Sequence, residues 1–558
     1  MVHIQDLPLE ILNRIFYYVF PPRNSPSFLN DEGVFANEGA FSNPKANKDE
    51  TDGTAIGLFE NEDLCRLCLV SRTFRDIAQP ILFHTFADDN LDHGDLRRTI
   101  SFAKTIYRRP ELGEHVKDIA YLFVPIKRKP KKLPADDAKL CKSAIQALEL
   151  GDQEEKRWIS LMRSYDFGVI VALLVLKTPH LRGFSLAGDI DIATWFKPLF
   201  ARDPSFLSEL TSLHIKGQPR GYNLKIYEDF ITRPNLQHLT LEYCDFDDAS
   251  FPSTWTPGSL AVETLFIRYS HIDGAAIRKL MQACKKLTEF AYQNFSPYSE
   301  EMRPETSVTS AHFTAAQVHE AALMHKDTLG HFHVEFARSQ SDFQNIQRYL
   351  SSRVKFGSFR EFTALESMMV PHAYLSVNPE LPHALKQIEI TDCNSSIQNM
   401  AQNIAKDAKK GLYPELLEVT VLTIDVRDPI KLPGGRIPPN KTPEDCFLGL
   451  RDLFKGTKVE FNISPYVVDD VFDDDDDMPL EMMDQMPPEL LQILMQGAPG
   501  PLGGARGPPG GPRGPPAGAR PPPRGPPGRN EMPPGLLDLL MEQAMRDPDF
   551  AHLRPPGR

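Results

Sequence analysis

The stretch LQHLTLEYCDF, Leu236–Phe246, decides the fold. Its leucines fall at the first, fourth and sixth positions, the spacing of a short strand whose apolar side chains all face one way. The same spacing recurs as LRGFSL from Leu181, LTSLHI from Leu210, VETLFI from Val262 and LTEFAY from Leu287. These starts lie 29, 26, 26 and 25 residues apart, counting from 181 through 287. The interval then becomes irregular, with LGHFHV from Leu329, LESMMV from Leu365, LKQIEI from Leu385 and LLEVTV from Leu416. A more remote copy, VKDIAY, begins at Val116.

One strand with its return connection cannot bury its own apolar face, so such units stack on their neighbours. The expectation is an α/β solenoid: a parallel sheet on the concave side and helical segments, such as 275–284, behind it. The apolar run 158–176 reads as helical and is expected on the convex side. Two copies extend to LQHLTLEYCDF and LKQIEITDC, which places Cys244 and Cys393 at the turn leaving the strand. A buried side chain there satisfies backbone groups. The pattern resembles degenerate leucine-rich repeats.

Positions three, five and seven of each copy point away from the core. On that concave face the pattern puts His214, Lys216, His238, Glu242, Phe266, Arg268, His331, His333, Glu335 and Glu389. They are the candidate substrate-binding residues. Phe266 and Met369 are expected to be exposed apolar anchors for a partner. His331, His333 and Glu335 share one face of one strand, with His325 nearby; a pH-sensitive or metal-binding patch competes there with ordinary solvated residues. No metal site is assigned.

At the N-terminus, Ile11, Leu12, Ile15, Phe16 and Val19 give a helix one apolar face, with Asp6 near the cap and Pro8 in the first turn. Pro21 and Pro22 end it, and 21–58 reads as a flexible insertion rich in Asn, Gly, Pro, Ser and acids. Apolar periodicity resumes with Leu64, Leu67, Cys68, Val70, Phe74 and Ile77. LPLEILNRIF followed by LCRLCLVSRTFRDIAQPILF resembles the F-box. Leu7, Pro8, Glu10, Ile11, Leu12, Ile15 and Phe16 match its first helix; Leu67, Cys68, Val70, Ser71, Arg72 and Phe74 match its Val-Ser-Arg-x-aromatic signature. The insertion at 21–58 is longer than the family's usual connector. The resemblance implies a helical module that docks on a Skp-type adaptor and through it on a cullin-based ubiquitin ligase. The other role for such helices is to cap the open end of the solenoid.

The hydrophobic fraction is 41%, and the tail from Val467 onward lowers it. That tail holds 15 acids and 8 arginines, a charge of −7 out of the chain's −13, leaving −6 for the other 466 residues. Seven aspartates crowd 469–477, and 23 of the 34 residues from Gly497 to Asn530 are Gly or Pro. Such a segment reads as a disordered polyproline-type spacer without the strict triplets of collagen. Within it lie two short amphipathic plugs, MPPELLQILM (Met486–Met495) and MPPGLLDLLM (Met532–Met541). Both suit helix-in-groove docking, and the first imitates LPLEILNRIF. RPPPRGP at 520–526 has the form of a polyproline ligand, and KRKPKK at 127–132 reads either as an import signal or as a solvated loop.

No leader, no membrane span and no phosphate-binding, nucleophile-elbow or zinc-protease motif is read from the chain. Cys65 and Cys68 are one turn apart inside an apolar pattern and read as core thiols, and seven scattered cysteines fit a reducing compartment. A mildly acidic body and few stacking aromatics in the tail exclude nucleic acid as the expected partner. The chain therefore divides into an F-box at 4–83, a leucine-rich-repeat solenoid at 84–466 and a disordered tail at 467–558. The expected function is that of a non-catalytic substrate receptor in the cytoplasm or nucleus, without cofactor, holding the adaptor by the F-box and a protein substrate by the concave face. The alternative is an adaptor-independent scaffold using repeats and tail.

Overall fold

A computed structural model describes Glu10, Leu12 and residues 64–88, 97–121, 135–163, 166–187, 192–217, 222, 224–293, 313–336, 353–393, 397–424 and 449–466. The chain divides into two units, Met1–Asp475 and Asp476–Arg558, and every described residue belongs to the first. Leu7, Pro8, Ile11, Ile15 and Phe16, the insertion at 21–58, the basic run at 127–132 and the tail with its two plugs lie outside the described residues.

Each copy of the leucine spacing forms a strand beginning near its third position. These are β2 (Asp118–Tyr121), β3 (Gly183–Ala187), β4 (Ser212–Lys216), β5 (His238–Glu242), β7 (Thr264–Arg268), β9 (Glu289–Gln293), β10 (His331–Glu335), β11 (Ser367–Pro371), β12 (Gln387–Cys393) and β13 (Glu418–Ile424). Two strands without the spacing, β1 (Thr85–Asp88) and β14 (Glu460–Tyr466), extend the sheet at its ends. The result is a 12-stranded, wholly parallel sheet in which sequence order is spatial order, a solenoid-like α/β arrangement. The short β6 (Asp245–Phe246) and β8 (His271–Ile272) pair separately just beyond β5 and β7.

Parallel neighbours require a crossover connection; 243–263 between β5 and β7 runs through turns and the short β6, while helical segments supply most of the others described. Their starts are written in local chemistry. The Asp273 side chain accepts from the amide of Ala276 at 2.7 Å and caps Gly274–Ala283. Thr314 and Gln317 form a capping box at the start of Ala315–Ala322. Asp166 accepts from Val169 N at 3.2 Å and starts a new helix, Phe167–Val175. This cap corrects the reading of 158–176 as one helical run. The segment is the end of Asp152–Arg163 followed by Phe167–Val175, bent by 113°. Among the described residues no single helix is long and apolar enough to cross a membrane.

The core is continuous from repeat to repeat. Leu239, Leu241, Leu265 and Ile267 from the strands pack with Ile277 and Leu280 from the helix behind them. Trp158 meets Trp195 edge-on at 5.8 Å, and Phe230 packs among Phe184, Phe196 and Phe200. Full burial of each such side chain contributes about 1.5–3 kcal/mol.

The N-terminal helices build a second, separate apolar cluster from Leu12, Leu64, Cys68, Phe74, Ile77, Ala78 and Ile81. Residues 64–70 are helical, and the next helix runs Arg72–Leu82. Ser71 breaks the chain between them in an extended conformation, and its Oγ accepts from Phe74 N at 3.1 Å. The serine of the Val-Ser-Arg signature is thus an N-cap.

Candidate functional site: the sheet face opposite the core, and the N-terminal helices

Alternation along each strand sends one set of side chains into the core and the next to the opposite face. The strand register aligns the second set into rows. Ser185, His214, Thr240, Phe266, Ala291, His333, Met369, Glu389 and Thr420 stand side by side across successive strands. One row nearer the strand ends come Lys216, Glu242, Arg268, Gln293 and Glu335; one row nearer the strand starts come His238 and His331. All ten candidate residues therefore share this face, and none belongs to the core cluster.

Their exposures differ from the expectation. His238 and His331 are exposed, and His214, Lys216, Arg268 and Glu389 are half-buried. Phe266 and Met369, expected to stand out as anchors, are only 3% and 6% exposed. His333 is 1% exposed, with its Nε2 3.8 Å from Glu335 Oε1. Strands about 4.8 Å apart press the side chains of the central row against each other. Phe266 also stands between two small neighbours, Thr240 and Ala291, which leave room for its ring. His325 does not join His331 and His333: its Nε2 donates to Met281 O at 2.8 Å and its Nδ1 accepts from Leu287 N at 3.3 Å. Among the described residues no group of three or more potential ligands could hold a metal ion.

The densest polar grouping lies over β3, β4, β5 and β7. Ser185 Oγ is 3.0 Å from His214 Nδ1, and His214 Nε2 is 3.4 Å from Glu242 Oε1. Lys216 Nζ and Arg268 Nη1 approach the same carboxylate at 3.9 Å from opposite sides. Burial pushes the Glu242 pKa up, but the neighbouring His214, Lys216 and Arg268 together outweigh it and hold the carboxyl below its usual value. Glu242 is therefore an ionised, partly desolvated anion between Lys216 and Arg268.

Two tyrosines directly follow Glu242 and Arg268 in the chain. Tyr243 and Tyr269 each follow the last residue of a strand, in the left-handed region at φ 56° and 51°, with rings stacked 5.1 Å apart. Their backbone amides continue the sheet ladder, donating to Arg268 O at 3.1 Å and Gln293 O at 2.7 Å. Asp392 holds the same turn, φ 58°, before Cys393. There the Cys393 thiol donates to Ile390 O at 3.1 Å, while Cys244 N donates to Ser270 Oγ at 3.0 Å. The tyrosines and Ser185 were absent from the candidate set. Their signal was in the sequence: LEYC and IRYS repeat the tyrosine 26 residues apart, and Ser185 is the fifth position of LRGFSL.

In the N-terminal helices, Leu12, Cys68 and Phe74 face the small cluster, and Leu67 is partly buried against it. Glu10, Val70 and Arg72 are exposed. Leu69, which was not among the candidates, is the most exposed large apolar side chain described, at 81%, with Val70 beside it at 59%. Burial raises the Cys68 thiol pKa, Cys65 adding to it, so it stays protonated and unreactive. No protein-family model matches this chain, and a search of curated proteins returns no match.

Proposed function

We propose that the chain is the substrate-recognition subunit of a Skp–cullin–F-box ubiquitin ligase. In this reading residues 4–83 dock on the adaptor, and the sheet face opposite the core holds a protein substrate. Leu69 and Val70 carry the docking half. They place two adjacent aliphatic side chains in solvent at the end of a helix, directly before the Ser71 cap. Exposed aliphatic pairs lose about 1.5–3 kcal/mol each relative to burial, so a covering partner gains that much. The helices also keep an apolar cluster of their own instead of merging it with the core of the sheet, which favours a docking module over a plain solenoid cap.

The substrate half rests on the polar grouping around Glu242 with the stacked Tyr243 and Tyr269. Tyrosine and arginine together are the side chains that most often dominate protein interfaces. Catalysis belongs to the partners, because transfer to a bound target needs the target held within reach. The setting is the cytoplasm or nucleus, and neither cofactor nor nucleic acid takes part. Co-purification of the full chain with a Skp-type adaptor tests the reading; recovery of the chain alone would leave an adaptor-independent scaffold.

A further inference from the structure

Lys216 and Arg268 are the only lysine or arginine in the described strands of the sheet. They do not stand apart. The register sets Lys216 on β4, Glu242 on β5 and Arg268 on β7 side by side, so both cations point at one carboxylate from either flank. His214 reaches the same carboxylate from the central row. Both flanking contacts are 3.9 Å, about 1 Å longer than a charge-assisted N–H···O bond. The carboxylate is shared among the cations without closing a full hydrogen bond to either flank, and the trio carries net positive charge. Farther along, β9 to β14 carry Glu289, Glu335, Glu389, Glu418 and Glu460 with no lysine or arginine. Among the described strands, lysine and arginine are thus confined to the Lys216–Arg268 pair.

We infer that the protein partner of this face presents an acidic segment, whose aspartate or glutamate carboxylates bind Arg268 and Lys216 in competition with Glu242. The inference rests on the proposed substrate role of the face. Glu242 already occupies the place of a carboxylate between the two cations, so the chemistry the site accepts is displayed by its own residue. An Arg fork takes a carboxylate bidentately, and Tyr269, the residue after Arg268, is stacked on Tyr243. A basic segment would meet like charge at Lys216 and Arg268.

The test is fluorescence anisotropy of the full chain with a labelled hexa-aspartate peptide at low salt, beside hexa-lysine and a phosphoserine peptide of equal length. Hexa-aspartate binds, and Arg268→Glu weakens it by at least about tenfold. Glu242→Gln strengthens it by about threefold to tenfold, because the internal competitor is gone. Opposite signs from two neighbouring substitutions separate recognition from misfolding. Tighter binding of hexa-lysine, exclusive binding of the phosphoserine peptide, or weakening by Glu242→Gln would each overturn the inference. Adaptor co-purification on the same preparation reports on the docking proposal alone, so the two fail separately.

Discussion

His325 Nε2 donates to the carbonyl of Met281 across 2.8 Å, tying the end of one repeat's helical segment to the helix of the repeat before it. Its other nitrogen accepts from the amide of Leu287, so the ring works in its neutral form with one tautomer. His319, which bonds Ser358 O at 3.0 Å, and His372 are buried likewise. Burial is the main force lowering all three pKa values, opposed in His319 and His325 by their carbonyl partners; in His372 nearby Lys355 adds to it, and the value falls to about 4.

The folded state therefore resists protonation while the unfolded chain's imidazoles take up protons near pH ~6.5. The stability these histidines contribute is complete above that pH. It is lost as pH falls below it, at about 1.4 kcal/mol per pH unit for each, until the folded pKa is reached. The urea midpoint is expected to drop clearly between pH 7.5 and 5. An unchanged midpoint would contradict neutral, bonded histidines.

Phe230→Ala removes a ring that meets Phe200 at 4.9 Å and Phe196 at 5.0 Å in the packed interior. The lost transfer energy and the cavity left behind together cost about 3–5 kcal/mol. Chemical denaturation measures it; a loss below about 1 kcal/mol would mean that the site collapses freely or is not packed as described.

Ser71→Ala takes away the acceptor for Phe74 N while leaving the apolar cluster intact. The expected cost is about 1 kcal/mol, and Ser71→Asn should recover most of it, since both residues cap. Equal stability of all three proteins would show that the serine serves something other than the helix start.

Ten of the sheet's twelve strands were legible because each carries aliphatic or aromatic residues at the first, fourth and sixth positions of one motif. The end strands were not. β1 is only four residues, TFAD, and β14, EFNISPY, follows no such leader. Their pairing is fixed by the neighbour they extend rather than by their own pattern. The face of each candidate residue was also legible, because side chains alternate along a strand. Exposure was not: whether Phe266 or His333 is covered depends on residues one strand away, which periodicity along the chain does not report. The Ser185–His214–Glu242 contacts span three strands and about 57 residues of sequence, and emerge only when the register is known.

At the N-terminus the signature residues were legible but their division of labour was not. Cys68 and Phe74 serve the small cluster, whereas Leu69, a position outside the signature, carries the larger exposure.

The central claim is docking through the helices before and after Ser71. Its most direct measurement is co-purification of a Skp-type adaptor with the full chain and with the Leu69→Asp, Val70→Asp double variant. Both side chains lie in solvent, so the variant should fold and melt as the parent does. The account predicts a stable complex with the parent chain and a loss of at least about a hundredfold in affinity with the variant, the scale expected when two apolar anchors are replaced by charge. An adaptor complex indifferent to both substitutions, or no complex with the parent chain, would contradict it.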